Sequence, residues 1–230
     1  MHKDSYPAID PQKANLAGKS VFISGASKGI GKAISISFAK AGASFIAVGA
    51  RSRLEPLVQA IKEAAASAGR KTPEVLPITL DVASQKSVDD AAAEVEKKFG
   101  KVDVLVNNAG VLEAPCSIAD SEPENWWYTW IVNVRGPYLT TRAFLPLLLK
   151  GDKQIINTSS VGAHIVMPGY SAYQTGKLAL LRFGEFIMAE YGDQGVLAYG
   201  IHPGVIRTEI FDGSGGIPKE VEHCKSTITP

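Results

Sequence analysis

The sequence predicts an α/β fold: a doubly wound parallel sheet with helices on both faces. Three observations predict it. Six short runs rich in β-forming residues alternate with segments of helical period. The runs are almost continuously apolar, as strands covered on both faces must be. Three of the helical segments stop at Gly42, Gly69 and Gly100, which marks their ends. With 230 residues, 45% of them hydrophobic, the chain can bury one core of ordinary size.

SVFIS (20–24) is the first strand, and SGASKGIG (24–31) turns from it into a helix that reaches about residue 41. ASFIAVGA (43–50) is the second strand, followed by a helix over about 54–68. VLPITL (75–80) and a helix over 84–99 come next, then VDVLVN (102–107) and one long helical region over about 123–149. QIINTS (154–159), a helix over about 171–191 and VLAYGI (196–201) complete the alternation. Residues 1–18, polar and broken by Pro7 and Pro11, read as an N-terminal arm; residues 19–230 read as a single domain. The final stretch, DGSGGIPKEVEHCKSTITP, is glycine-rich and then polar, with no strand pattern.

Composition narrows the function. Lys and Arg total 24 against 23 Asp and Glu, a net charge of +1, which argues against a nucleic-acid partner. Cys116 and Cys224 have no paired spacing, so they read as two reduced thiols and not as a disulfide or zinc framework. No apolar stretch has the length of a signal peptide or a membrane span, so no membrane partner and a cytoplasmic location are expected.

The glycine cluster lies between a strand and a helix, where a pyrophosphate meets free N–H groups and the positive end of the helix dipole. Its spacing is G-x-x-x-G-x-G, and taken alone it reads as turn punctuation as easily as a phosphate loop. Three further stretches decide between these: NNAG (107–110), the serine pair 159–160 with YQTGK (173–177), and HPGVIRT (202–208). Each follows a predicted strand, at the carboxyl edge where a doubly wound sheet binds its ligands. The set closely resembles the short-chain dehydrogenase/reductase family, from about residue 16 to 209, with the motifs in the family's order. That resemblance implies a Rossmann-type sheet and a dinucleotide loop made by Gly25, Ser27, Lys28, Gly29, Ile30 and Gly31, with Ser24 keeping a hydroxyl where the family usually has threonine.

The cofactor is read at the end of the second strand, GARSR (49–53). An acid there would bind the ribose of NAD, whereas an arginine accommodates the phosphate of NADP. Ala50 lacks the acid and Arg51 follows it, and a guanidinium binds phosphate bidentately. Lys28 adds a cation at a position similar to one used by NADPH-preferring members; either cation alone could be ordinary solvated surface charge. Together they point to NADP(H). By the same resemblance Asp81 contacts adenine, though its position also suits a helix N-cap. Asn108 lies near the cofactor ribose, Gly110 permits close approach, and Val205 and Thr208, with Pro203 and Gly204, wrap the nicotinamide.

Tyr173 and Lys177 stand four apart on one helix face. A tyrosine titrates near pH 10, and lowering it by ~3 units takes about 4 kcal/mol. One cation at ~4 Å supplies roughly that at an effective dielectric near 20. The resemblance implies that Tyr173 is the general acid/base, that Lys177 lowers its pKa and holds the ribose, and that Ser160 binds the substrate oxygen. Ser159 is the less favoured neighbour, because Ser160-Val161 fits the family pattern. Asn133 matches the asparagine that holds a relay water, and could equally cap a bend in its helix. His164 and His202 lack metal-ligand spacing and read as structural or pocket-lining.

Trp126, Trp127 and Trp130 read as core or interface, and the family's matching helices commonly pack subunits together, so a homodimer or homotetramer is expected. The segments 162–172 and 111–115 should line the pocket, and their apolar character favours a small hydrophobic carbonyl or alcohol substrate. Compared with the family, the C-terminal end looks shortened. An NADP(H)-dependent ketone/alcohol oxidoreductase is therefore the leading expectation, and a non-catalytic NADP(H)-binding sensor the alternative.

Overall fold

The computed structural model describes residues 8–206 and 208–212. Six strands, β1 (Ser20–Ser24), β2 (Phe45–Ala50), β3 (Glu74–Thr79), β4 (Val104–Asn107), β5 (Gln154–Thr158) and β6 (Leu197–Ile201), form one sheet. Every pairing is parallel, in the order β3-β2-β1-β4-β5-β6. The chain runs outward one way from β1 to β3, then returns to β4 and runs outward the other way. The carboxyl ends of β1 and β4 therefore flank the switch point at which such sheets open a crevice.

Alternation along the strands assigns each side chain to a face. Phe22, Leu105 and Ile155 pack on one face beneath α3 (Gln85–Phe99), α5 (Gly136–Leu148) and α6 (Ser171–Tyr191). Val21, Ile23, Ile46, Val48 and Val106 pack on the other, beneath α1 (Gly29–Lys40) and α2 (Glu55–Ser67). In α3, Val88, Ala91, Ala92 and Val95 make the i, i+3, i+4, i+7 stripe that the sheet covers. β3 carries Pro77, which lacks an N–H, and lies at the sheet's edge where that is tolerated. A short α7 (Glu209–Asp212) follows β6.

The long helix expected over 123–149 is interrupted. It is α4 (Pro123–Trp130), a π-helical turn (Ile131–Arg135) and then α5. The turn centres on Asn133, whose fully buried side chain faces out of the helix to bind a neighbouring loop, and the extra residue accommodates that. Residues 8–18 lie against the fold: Arg70 donates to the carbonyls of Gln12 (2.5 Å) and Ala14 (2.7 Å). Cys116 is a half-buried free thiol; Cys224 and nearly all of the glycine-rich C-terminal stretch lie outside the described residues.

Candidate active site

The carboxyl ends of β1, β4 and β5 open into a cleft of about 470 Å³. Its first wall is the glycine loop. Gly25 and Gly29 have φ of +66° and +53°, a region that side chains rarely adopt. A Cβ on Gly25 would stand 2.7 Å from the Ala109 Cα, so only glycine allows the β1 and β4 ends to close up. Gly31 does not line the cleft. It is buried, and a Cβ there would stand 2.3 Å from the Gly25 carbonyl, so it packs α1 against its own loop.

Ser24 and Asn108 bind the two strand ends together. The Ser24 hydroxyl accepts from the N–H groups of Asn108 (3.1 Å) and Ala109 (3.2 Å). The Asn108 amide returns hydrogen bonds to the carbonyls of Ser24 and Gly25, both 3.1 Å. Beneath them, the buried Asn107 bonds Thr141 and Asn157 and so ties β4 to α5 and β5. Ser27, Lys28, Gly29, Ile30, Asn108 and Gly110 all reach the cleft.

The end of β2 supplies the rim. Ala50 is buried; Lys28 and Arg51 are exposed and line the cleft. Arg51 donates to the Tyr128 hydroxyl at 3.2 Å. Asp81 lines the cleft as well, but it is not the N-cap of α3. Ser84 takes that place, accepting from Ser87 N–H, while Asp81 accepts from Ala83 N–H (3.0 Å) in a turn ahead of the helix. Opposite, Val205 is buried, and Thr208 lies against the glycine loop, its Cγ2 3.1 Å from a Cβ built on Gly29.

At the centre the Tyr173 hydroxyl faces the Ser160 side chain, and the Ser160 hydroxyl accepts from Gly162 N–H at 3.0 Å. Ser159 is turned the other way, donating to the Lys177 carbonyl at 3.2 Å. The Lys177 ammonium donates to the Thr158 carbonyl at 2.8 Å and stands 5.4 Å from the Tyr173 ring centroid. A Cβ on Gly110 would meet Asn133 Oδ1 (3.0 Å) and Lys177 Nζ (3.7 Å), so that glycine lets the π turn and the lysine converge. Asn133 does not line the cleft; it clamps Val111, accepting from its N–H (2.9 Å) and donating to its carbonyl (2.8 Å).

The electrostatics differ from the expectation that Lys177 pulls the phenol down. Burial pushes the Tyr173 phenol above its ordinary value; the Ser160 hydrogen bond opposes this and the negative charge of Glu113 adds to it. Burial also pushes Lys177 down, to about 8. The cation is directed at a carbonyl and is itself desolvated, so it does not dominate the phenol. At neutral pH the arrangement presents a protonated phenol beside a hydroxyl, which suits proton donation to an oxygen.

Features of the cleft and of its surroundings went unread in the sequence. Tyr128 reaches Arg51 from one helical turn before Val132, and Leu80, Val82 and Val132 supply apolar lining near Asp81. Glu113 interrupts the expected apolar wall and, with Ala114 and Cys116, faces a second cavity of about 350 Å³. Trp126 donates to Ser171 Oγ at 2.9 Å, anchoring α4 to the start of α6. A charge inside an apolar run was the one available signal for Glu113. His164 is exposed and outside the cleft, whereas His202 lines it.

Comparison with known proteins gives consistent matches. The family model described as short chain dehydrogenase matches residues 19–215. The short chain dehydrogenase mpl6 of Monascus purpureus is 54% identical over 233 aligned positions, covering 99% of this chain and 80% of that relative. A short-chain type dehydrogenase/reductase from Mycobacterium marinum superposes with a TM-score of 0.76 at 30% identity, over 86% of this chain and 77% of that one. An alcohol dehydrogenase from Thermococcus sibiricus, solved with 5-hydroxy-NADP, gives 0.74 at 31% identity, over 90% and 85%.

Proposed function

The chain belongs to the short chain dehydrogenase family, and we propose that it is an NADP(H)-dependent oxidoreductase that interconverts a ketone or aldehyde and an alcohol on a small, hydrophobic substrate. The observation that carries this reading is the convergence of Tyr173, Ser160 and Lys177 on one cleft, with the lysine one helical turn from the tyrosine and its ammonium 5.4 Å from the ring centroid. In reduction, Tyr173 gives its proton to the carbonyl oxygen while Ser160 holds that oxygen in line. Lys177 stands beside the resulting phenolate and favours it. Asn133 braces Val111 and the π turn behind Gly110. A reduced nicotinamide cofactor, when bound, would supply the hydride that accompanies this proton.

The residues at hand fit that cofactor. Gly25, Ser27, Lys28, Gly29 and Ile30 would hold its diphosphate at the N-terminus of α1, with Gly31 packing behind them. Lys28 and Arg51 would meet the ribose phosphate beside the acid-free Ala50; Asp81 would meet adenine; Asn108, Gly110, Tyr173, Lys177, Val205 and Thr208 would hold the remainder. The Thermococcus sibiricus relative, solved with an NADP derivative, supports the choice. Val111, Leu112, Ile165 and Met167 make the substrate side apolar.

One domain over 19–230, a homodimer or homotetramer and a cytoplasmic setting belong to the same proposal. Exposed Trp127, Tyr138, Leu178 and Phe186 on α4, α5 and α6 support association. The free thiol of Cys116 accords with a reducing compartment.

Tyr173→Phe tests the mechanism. NADPH consumption with a panel of hydrophobic ketones should fall by about 10²–10⁴-fold, while NADPH binding followed by fluorescence stays near wild type. Full turnover in the variant would refute the assignment.

A further inference from the structure

We propose that Glu113 is a positioning residue for Tyr173: its carboxylate anchors the first turn of α6 through the Tyr173 N–H and sets a negative charge against the phenol, holding the phenol in its protonated form. This deepens the assignment of Tyr173 as the acid and rests on it. Glu113 Oε1 accepts from the Tyr173 N–H at 3.0 Å across 60 residues of chain. That N–H lies in the first turn of α6, where no carbonyl within the helix can accept it. A carboxylate at a helix N-terminus also meets the positive end of the dipole.

The placement is rigid. Two residues before Glu113, Val111 is clamped at both backbone atoms by Asn133. Three residues after it, Cys116 N–H donates to the Gly169 carbonyl at 3.0 Å, just ahead of α6. The second oxygen, Oε2, is buried and has no hydrogen-bond partner among the described residues, which leaves Oε1 and the Tyr173 N–H as the carboxylate's one hydrogen bond there. Around the phenol stand Ser160 from the loop after β5, Lys177 on α6 and, elsewhere in the cleft, His202 after β6. Asp120 and Glu122 line the cavity on the far side of Glu113. Among these, Ser160 favours the phenolate and Glu113 opposes it.

Glu113→Gln keeps a hydrogen-bond acceptor for the cap and removes the charge. Tyrosine labelled with ¹³C at Cζ, with the Tyr173 signal assigned by its loss in Tyr173→Phe, reads the phenol directly, in the protein alone and with NADP⁺ added. The titration midpoint in Glu113→Gln should fall by about one pH unit, roughly tenfold in the proton equilibrium, and the alkaline limb of kcat/KM for ketone reduction should move down with it. Glu113→Ala should give the same shift with a lower Tm, and it serves if the glutamine variant folds poorly. An unmoved Tyr173 midpoint in a folded variant overturns the proposal. Absence of turnover in the wild type would instead count against the oxidoreductase reading and leave the titration as the test.

Discussion

On the proposed reading, single side chains decide the choice between the two nicotinamide cofactors. Arg51 is exposed, its guanidinium within 3.2 Å of the Tyr128 hydroxyl, and Ala50 beside it has no charge to repel a phosphate. A charge-assisted hydrogen bond contributes about 1.5–3 kcal/mol, and the fork of Arg51 can make two to one phosphate. Arg51→Ala should therefore weaken NADPH binding by about tenfold or more while leaving NADH binding near its wild-type value, as measured by calorimetric titration. Equal losses for both nucleotides would remove Arg51 from the ribose-phosphate site. Residue chemistry also separates two neighbouring serines: Ser160 faces the phenol and Ser159 bonds the backbone of α6.

At the scale of elements, the glycine loop and α1 act as one piece because of how closely they pack. Gly31 leaves no room for a methyl group between α1 and the Gly25 carbonyl, and a Cβ there would also stand 2.5 Å from Asn108 Nδ2. Both neighbours are held by hydrogen bonds, so neither yields easily. Gly31→Ala should lower stability by about 1–3 kcal/mol, as overpacking does. In a domain of this size that is about 2–4 °C of Tm for each kcal/mol. Nucleotide affinity should fall with it if the loop holds the diphosphate as proposed, since the displaced loop is a wall of the cleft. An alanine variant with unchanged Tm and affinity would contradict the packing described. The π turn is a second device of this kind: it directs Asn133 out of α4–α5 to hold Val111, which in turn positions Glu113.

Across the whole molecule, the two ends of the sheet have different tasks. The carboxyl ends carry the cleft, and the amino ends carry a buried carboxylate that joins three strands. Asp103 accepts from Ser20 N–H (2.7 Å) and Ser20 Oγ (3.0 Å) at the start of β1, and from Asp152 N–H (3.1 Å) ahead of β5. Lys101 donates to it at 2.9 Å. Burial pushes the Asp103 carboxyl up, but the hydrogen bonds from Lys101 and Ser20 outweigh it and hold the group below the usual carboxylate range. A carboxyl lowered on folding contributes stability above its unfolded value, about 3.9, and loses that contribution as pH falls through the folded value. Asp103→Asn should cost about 2 kcal/mol at pH 7, and its deficit against wild type should shrink below about pH 4. Catalytic turnover at 25 °C should be unaffected by this distant change. A deficit that stays constant down to pH 2 in urea titrations would refute the charge assignment.

Much of this was legible in advance. The bounds of β1 and α6 and the order of alternation follow from apolar period and glycine stops, which neighbours in the chain dictate. The cleft's place followed too, because strand order and right-handed crossovers leave one switch point. That Ser160, Tyr173 and Lys177 would share the cleft was expected from the motifs that resemble the family's, and all three line it. What only the tertiary structure decided was where charge and hydrogen bonds went: Lys177 onto the Thr158 carbonyl, Arg51 onto Tyr128, Glu113 onto Tyr173, Gly31 into packing. Those partners stand 19, 77 and 60 residues apart in the three bonded pairs. Local periodicity carries no information over such separations; close packing of distant elements sets them, and with them the titration of the phenol.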